Sequence, residues 1–192
     1  MARISKPPEV RRQELLDAAM ELFSQRGYEE TSMADIAKKA QVVQGLCYRY
    51  FDSKQKLFQE AMEQYVRTCC AAYLPLIHDR TRPILERLDA MAQACLDTDQ
   101  DSQYSAFYHR PENQELHEEL SLRICRYLEP HVAEELQAAC DSGELHLPYP
   151  QVTASYLLHS QIGLMGEGDP SLEVRMEEVR RYARLILGEG PN

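Results

Sequence analysis

The fold is decided by the stretch from Ser32 to Lys54, which reads SMADIAKKAQVVQGLCYRYFDSK. Its first half carries apolar residues at helical spacing: Met33, Ile36, Ala37 and Ala40. This spacing predicts a short helix. Ser32 can cap the helix, and Asp35 follows three residues later, as in an acidic variant of the capping box. A helix is therefore expected to begin directly after Ser32.

The second half of the stretch predicts a turn and a second short helix. Residues 41–43 interrupt the apolar stripe, and Gly45 opens a segment that carries three aromatic residues at positions 48, 50 and 51. Two short helices that cross at a turn of three or four residues form a helix-turn-helix, whose second helix can enter the DNA major groove. The stretch therefore predicts a DNA-binding motif.

This stretch resembles the DNA-binding motif of the TetR family of bacterial transcription regulators. The matching residues are Thr31-Ser32-Met33, Ile36-Ala37, Ala40, Val42, Gly45, Tyr48, Tyr50-Phe51 and Ser53-Lys54. Two residues depart from the family pattern: Gln41 stands where glycine is common, and Val43 where serine or threonine is common. The second departure removes a side-chain cap from the second helix, which is worth about 0.5–2 kcal/mol.

The candidate DNA-binding residues lie within and beside this motif: Thr31, Ser32, Gln44, Gly45, Leu46, Tyr48, Arg49, Tyr50 and Lys54. The resemblance implies phosphate contacts for three of them: Tyr48, Tyr50 and Lys54. It implies base contacts for three others: Gln44, Leu46 and Arg49. Glutamine pairs well with adenine and arginine with guanine, and a glycine such as Gly45 lets the backbone approach DNA closely.

The charge of the chain is distributed in a way that suits DNA binding by its first part. The 192 residues carry a net charge of −10. Residues 1–54 hold nine Lys/Arg and eight Asp/Glu, a net of +1, and residues 55–192 carry the remaining −11. Basic side chains near the motif can face phosphates: Arg3, Lys6, Arg11, Arg12, Lys38, Lys39, Arg49 and Lys54. Because the acidic remainder repels DNA, we expect weak non-specific binding at moderate salt.

The whole chain is predicted to be all-α, with about nine helices. Residues 1–53 are expected to form the helix-turn-helix DNA-binding domain, continuous with a larger helical ligand-binding and dimerisation domain at 54–192. The small core of the first domain is predicted to comprise Leu15, Ala19, Leu22, Phe23, Met33, Ile36, Ala37, Val42, Cys47 and Phe51. A long helix is expected from about Lys54 to His78, where Pro75 should end or kink it.

Further elements are expected along the second domain: a loop at 97–102, a short helix ended by Pro111, a helix at 112–142 kinked by Pro130, and two last helices at 152–165 and 172–187. The resemblance implies a homodimer formed through these last two helices. The first of them carries little charge, which suits a buried seam between two copies. The alternative is that it is plain domain core.

The resemblance also implies a small-molecule effector. Candidate effector-binding residues are mostly aromatic or polarisable: Tyr65, Cys69, Tyr73, Met91, Cys95, Phe107, Tyr108 and Ile124. Such side chains suit a largely apolar ligand, although each of them is also a reasonable core residue.

Other functional classes are not favoured by the sequence. The six cysteines form no C-x-x-C pair, and thiols among apolar neighbours in a cytosolic chain behave as small hydrophobes. His109 and His117 are interrupted by Pro111, which is not a metal-ligand spacing. No catalytic motif is recognisable. We therefore expect no enzyme activity, no metal and no cofactor. A redox- or metal-responsive regulator of the same fold, a helical enzyme and a protein-interaction domain remain the alternatives.

The hydropathy of the sequence predicts the cellular compartment of the protein. No apolar run approaches the ~20 residues needed to span a bilayer, and the start lacks an apolar signal core. A cytoplasmic protein without membrane contact is expected. The leading hypothesis is a homodimeric repressor that binds a palindromic double-stranded operator and is released by a small, largely apolar effector.

Overall fold

The computed structural model describes residues 6–101, 114–162, 164 and 170–188, which form nine α-helices and no strand. The helices are α1 (Pro8–Arg26), α2 (Met33–Lys39), α3 (Gln44–Tyr50), α4 (Lys54–Cys70), α5 (Leu74–Ile77), α6 (Ile84–Asp101), α7 (Gln114–Asp141), α8 (Pro150–His159) and α9 (Leu172–Ile186). The all-α prediction is confirmed. No helix in the described ranges is long and apolar enough to cross a membrane.

The chain divides into two compact units, Met1–Tyr65 and Val66–Asn192, and the division falls inside α4. In unit 1, α1 contacts α2, and α2 contacts α3. Nine of the ten predicted core residues are buried: Leu15, Ala19, Leu22, Phe23, Met33, Ile36, Ala37, Cys47 and Phe51. Val42 is half-buried. The start of α4 adds Leu57 and Phe58 to this core.

The first helix is bounded by residues with special backbone geometry. Pro8 occupies its first turn, where a missing N–H costs nothing. Gly27 follows its end at φ 88°, a conformation that side chains disfavour, and its N–H donates to the Phe23 carbonyl at 2.9 Å. The chain therefore leaves the helical conformation at Gly27 and turns toward α2.

In unit 2, α5, α6 and α7 contact one another, and α8 packs along α7. The interior of this unit includes Leu128, Val132 and Leu136 of α7 together with Ala154 of α8. The predicted helix around Pro130 is present, and Pro130 lies in the interior of α7. The expected short helix with Tyr104, Phe107 and Tyr108 falls outside the described residues.

The expected long helix at 54–78 is wrong at its end. Instead, α4 ends at Cys70, and Pro75 lies in the first turn of α5. Proline lacks the backbone N–H that would continue the hydrogen bonds of α4, and it fits the first turn of a new helix, where that N–H is not needed.

The expected loop at 97–102 is also wrong, because α6 continues as far as Asp101. Gly and Pro are absent from this segment, and the Gln93 amide donates to Asp97 Oδ1 one turn later at 2.9 Å.

By contrast, α8 ends at His159, earlier than the expected 165. The Gln161 side chain donates to the Leu157 carbonyl at 2.7 Å and thereby takes an acceptor that a continuing helix would use.

A buried ionic cluster joins three parts of unit 2 around Glu135 of α7, which is 1% exposed. Arg80 donates to both of its carboxylate oxygens, at 2.8 and 2.9 Å. Arg87 of α6 donates at 2.6 Å, and His78 Nδ1 lies 2.8 Å from Oε1. Burial by itself would raise the pKa of Glu135, but the hydrogen bonds from Arg80, His78 and Arg87 lower it to about 2.

Candidate nucleic-acid interface

The entry to the helix-turn-helix is held by a complete capping box. The Asp35 N–H donates to Ser32 Oγ at 3.1 Å, and the Ser32 N–H donates to Asp35 Oδ2 at 3.0 Å. Hydrogen bonds from the Ser32 hydroxyl and N–H lower the pKa of the Asp35 carboxyl. The sequence prediction of this cap is confirmed, and the capped turn fixes the start of α2.

The turn between α2 and α3 depends on Gln41 in a left-handed conformation. Its φ is 56°, the only positive value of a residue other than glycine among the described residues. The Val42 N–H donates to the Ala37 carbonyl at 2.9 Å and closes the turn. Glycine adopts this backbone freely, whereas a residue with a Cβ pays about 1–2 kcal/mol for it.

The outer surface of α3 presents side chains suited to DNA. Gln44, Gly45, Tyr48 and Arg49 are exposed, while Cys47 is buried in the core of unit 1. Leu46 and Tyr50 are half-buried at the edges of this surface. Side chains of the kinds that can contact bases or phosphates therefore lie on one side of a short helix, and its other side anchors it.

Gly45 is not required by the packing of unit 1. A Cβ added at this residue would meet nothing within 4 Å, and its backbone φ is not in the left-handed region. The space above Gly45 is open to solvent, so the backbone of α3 is accessible to another molecule at this point.

Thr31 lies inside the protein, with 1% of its surface exposed. Its hydroxyl donates to the Gly27 carbonyl at 2.8 Å and lies 3.4 Å from the Leu22 carbonyl. This side chain therefore holds the end of α1 against the start of α2. The neighbouring Ser32 is exposed.

Lys54 contacts Tyr28, an aromatic residue that is not among the predicted DNA-binding residues. Its ammonium donates to the Tyr28 carbonyl at 2.9 Å and lies 4.1 Å from the centre of the Tyr28 ring. The Tyr28 ring in turn packs against Phe58, with centroids 4.8 Å apart. A contact across 26 residues leaves no local signal in the sequence. It keeps the Lys54 charge in a fixed place at the start of α4.

Several other cations of unit 1 are already paired with carboxylates. Lys39 Nζ lies 2.5 Å from Glu21 Oε1, and the hydrogen bond from Lys39 lowers the pKa of Glu21. Arg12 pairs with Glu60, and its guanidinium lies 5.1 Å from the centre of the Phe51 ring. Lys6 and Arg11 both pair with Glu14.

Arg49 has no ion-pair partner among the described residues. Its guanidinium is therefore the cation of α3 that is available to a ligand. Arg49 lies on α3, but the sequence gave no indication that several of the other basic side chains of unit 1 are paired.

The candidate effector residues are spread over both units. Tyr65 belongs to unit 1 and Cys69 to unit 2, and both are half-buried on α4. Tyr73 and Met91 are buried, Ile124 is half-buried, and the helices beside or containing these three residues contact one another. The Cys95 side chain, Phe107 and Tyr108 lie outside the described residues. No three side chains that could ligate a metal converge within the described ranges.

Comparison with known proteins places this motif in a family. The family model described as "Bacterial regulatory proteins, tetR family" matches residues 15–61, which include α2 and α3. The HTH-type transcriptional repressor KstR2 of Mycobacterium tuberculosis is 32% identical over 94 residues, which are 49% of this chain and 46% of the relative. The chain thus spans about half the length of this curated relative.

Solved structures extend the likeness in fold to nearly the whole chain. A TetR-family transcriptional regulator from Pectobacterium atrosepticum is 20% identical with a TM-score of 0.69, covering 95% of this chain and 96% of that one. RolR in complex with resorcinol is 16% identical with a TM-score of 0.65, covering 96% of each chain. At these identities the solved structures show a shared fold, and the sequence matches show that residues 15–61 carry the DNA-binding region of the TetR family of bacterial regulatory proteins.

Proposed function

We propose that this protein is a homodimeric transcriptional repressor that binds a palindromic double-stranded operator and is released by a small, largely apolar effector. The exposed polar face of α3 carries the proposal, because Gln44, Tyr48 and Arg49 lie together on a helix anchored by its opposite side. The repressor KstR2 shares this region of sequence, which supports the same role here.

The proposed contacts on DNA follow from where each side chain lies. Gln44 and Arg49 are exposed and can donate to base edges, with Leu46 beside them. Tyr48 and Tyr50 supply hydroxyls for phosphates. Gly45 leaves the backbone of α3 open to the DNA surface, and Ser32 is exposed at the start of α2, where it can lie beside a phosphate.

Two of the candidates have internal contacts that change how they would act. Lys54 would reach a phosphate while its ammonium stays over the Tyr28 ring, because an ammonium has three donors and one is used by the protein. Thr31 would act by fixing the turn before α2, since its hydroxyl is used inside the protein.

The proposed dimer would be formed by α8 and α9. Tyr156 of α8 is 60% exposed, and Tyr182, Leu185 and Ile186 expose apolar surface on α9. A cleft of about 210 Å³ is lined by side chains of both helices and the turn between them: Tyr156, Leu157, Ser160, Gln161, Leu164, Val179, Tyr182, Ala183 and Ile186. An exposed aromatic and aliphatic surface of this kind is typical of an interface between copies.

The proposed effector would bind in unit 2, near Tyr73, Met91 and Ile124. RolR, of similar fold, is solved with resorcinol, a small aromatic molecule. We propose a ligand of comparable size and low polarity for this chain. Two thiols in the described residues do not favour a redox role, because burial raises the pKa of Cys47 and raises that of Cys125 to about 11.

The experiment that tests the proposal selects duplexes from a random palindromic library with the purified protein and then measures their affinity by fluorescence anisotropy. Tyr48→Ala should weaken binding to the selected duplex, while Tyr149→Ala, which truncates an exposed tyrosine of unit 2, should not. Failure to enrich any duplex, or equal binding by the Tyr48 variant, would overturn the proposed function.

A further inference from the structure

Val43, the residue that precedes α3, has an apolar side chain that is largely exposed to solvent. Val43 is 62% exposed, the largest exposed fraction of any bulky apolar side chain described in unit 1. It occupies the N-cap position of α3 and makes no side-chain cap hydrogen bond. Valine is a poor N-cap, so neither capping nor core packing accounts for this residue.

The surroundings of Val43 place it at the edge of the DNA-reading surface. Gln44 and Gly45 follow it directly, and both are exposed. The Leu46 N–H donates to the Val43 carbonyl at 2.9 Å, so the residue is fixed at the first turn of the helix. The first residues of a recognition helix are those that meet base edges in the major groove.

Among the base-edge groups of the major groove, the one that a valine side chain can recognise is the C5-methyl of thymine. The other groups displayed there are hydrogen-bond donors and acceptors, and valine offers neither. Building on the proposed function, we propose that Val43 reads a thymine methyl in each operator half-site, next to the base that Gln44 reads.

Under this proposal, the residues at and beside α3 recognise the operator sequence by two kinds of contact. Gln44 and Arg49 act by hydrogen bonds, whereas Val43 excludes water from a methyl group without any polar contact. A serine or threonine at this position would cap the helix through its hydroxyl. Valine at this position therefore lacks the N-cap hydrogen bond of α3 but provides an apolar contact with DNA.

The test removes the methyl group from the DNA and from the protein in turn. In the duplex selected by the wild-type protein, each thymine is replaced singly by deoxyuridine, which lacks only the C5-methyl. At one position per half-site, this replacement should weaken wild-type binding about three- to fivefold. Val43→Ala should bind the thymine duplex more weakly by a similar factor and should not respond to deoxyuridine at that position.

Two further variants separate this contact from folding. Val43→Ser should raise the melting temperature by restoring a cap, yet it should lose the response to deoxyuridine. Val10→Ala, which truncates an exposed valine of α1, should keep the full response. The inference is overturned if no thymine shows a methyl effect, or if the Val43→Ala variant keeps it. Absence of any selected duplex would instead refute the proposed function.

Discussion

At the scale of single residues, the turn of the motif contains strain that one substitution should relieve. Gln41 adopts φ 56°, which costs a residue with a Cβ about 1–2 kcal/mol. Gln41→Gly removes that cost but adds entropy to the unfolded chain, so we expect a net stabilisation of about 0.5–1 kcal/mol. Urea denaturation of the full chain measures it.

The matched control for this residue is Gln41→Ala, which keeps the Cβ and should therefore leave the midpoint unchanged or lower it. Equal stabilisation by both substitutions would show that the glutamine side chain, and not its backbone conformation, is unfavourable in the turn.

At the scale of helices and their contacts, the Glu135 cluster should make unit 2 sensitive to acid. Removing the carboxylate by Glu135→Gln leaves Arg87 buried without its ion pair, which should cost about 3–5 kcal/mol at neutral pH. Because folding lowers the pKa of Glu135 from 4.5 to about 2, its stabilisation is complete above pH 4.5 and is lost as the pH falls toward 2.

The difference in unfolding free energy between wild type and this variant should therefore shrink as the pH falls below about 4.5. The neighbouring Glu134 is exposed and lies 3.5 Å from Arg80, so Glu134→Gln should have an effect below about 1 kcal/mol at every pH. A difference between wild type and Glu135→Gln that stays constant down to pH 3 would contradict the role assigned to the carboxylate.

The helices also show what sequence can and cannot predict. The capping box and the apolar stripe of α2 both depend on residues a few positions apart, so both were predictable. The continuation of α6 through residues 97–101 was not, because a polar, acidic segment is compatible with loop or helix and local propensities differ little. The contact between Lys54 and Tyr28 spans 26 positions and depends on tertiary packing, which no local pattern encodes.

At the scale of the whole molecule, the proposed dimer should depend on the apolar surface of α8. Tyr156→Glu places a charge on a side chain that would become buried between copies, and burying an unpaired charge is costly. We expect sedimentation velocity to show a folded monomer and operator affinity to fall by about tenfold or more, since only one half-site can then be held.

The control for the dimer is Gln137→Glu, which adds the same charge on an exposed position of α7 and should leave the sedimentation coefficient unchanged. A Tyr156→Glu protein that still sediments as a dimer would place the interface elsewhere.

For the proposed DNA-binding function, the pairing of Lys39 with Glu21 and of Arg12 with Glu60 has a consequence for how the protein would search a chromosome. In the free protein, these carboxylates neutralise the cations that they pair with. When such a cation binds a DNA phosphate instead, its carboxylate loses that partner and binds sodium or potassium ions from solution. Net ion release is then smaller than the number of new phosphate contacts. Encounters with random DNA should consequently be brief, and the protein should travel by many short hops rather than by long slides along the duplex.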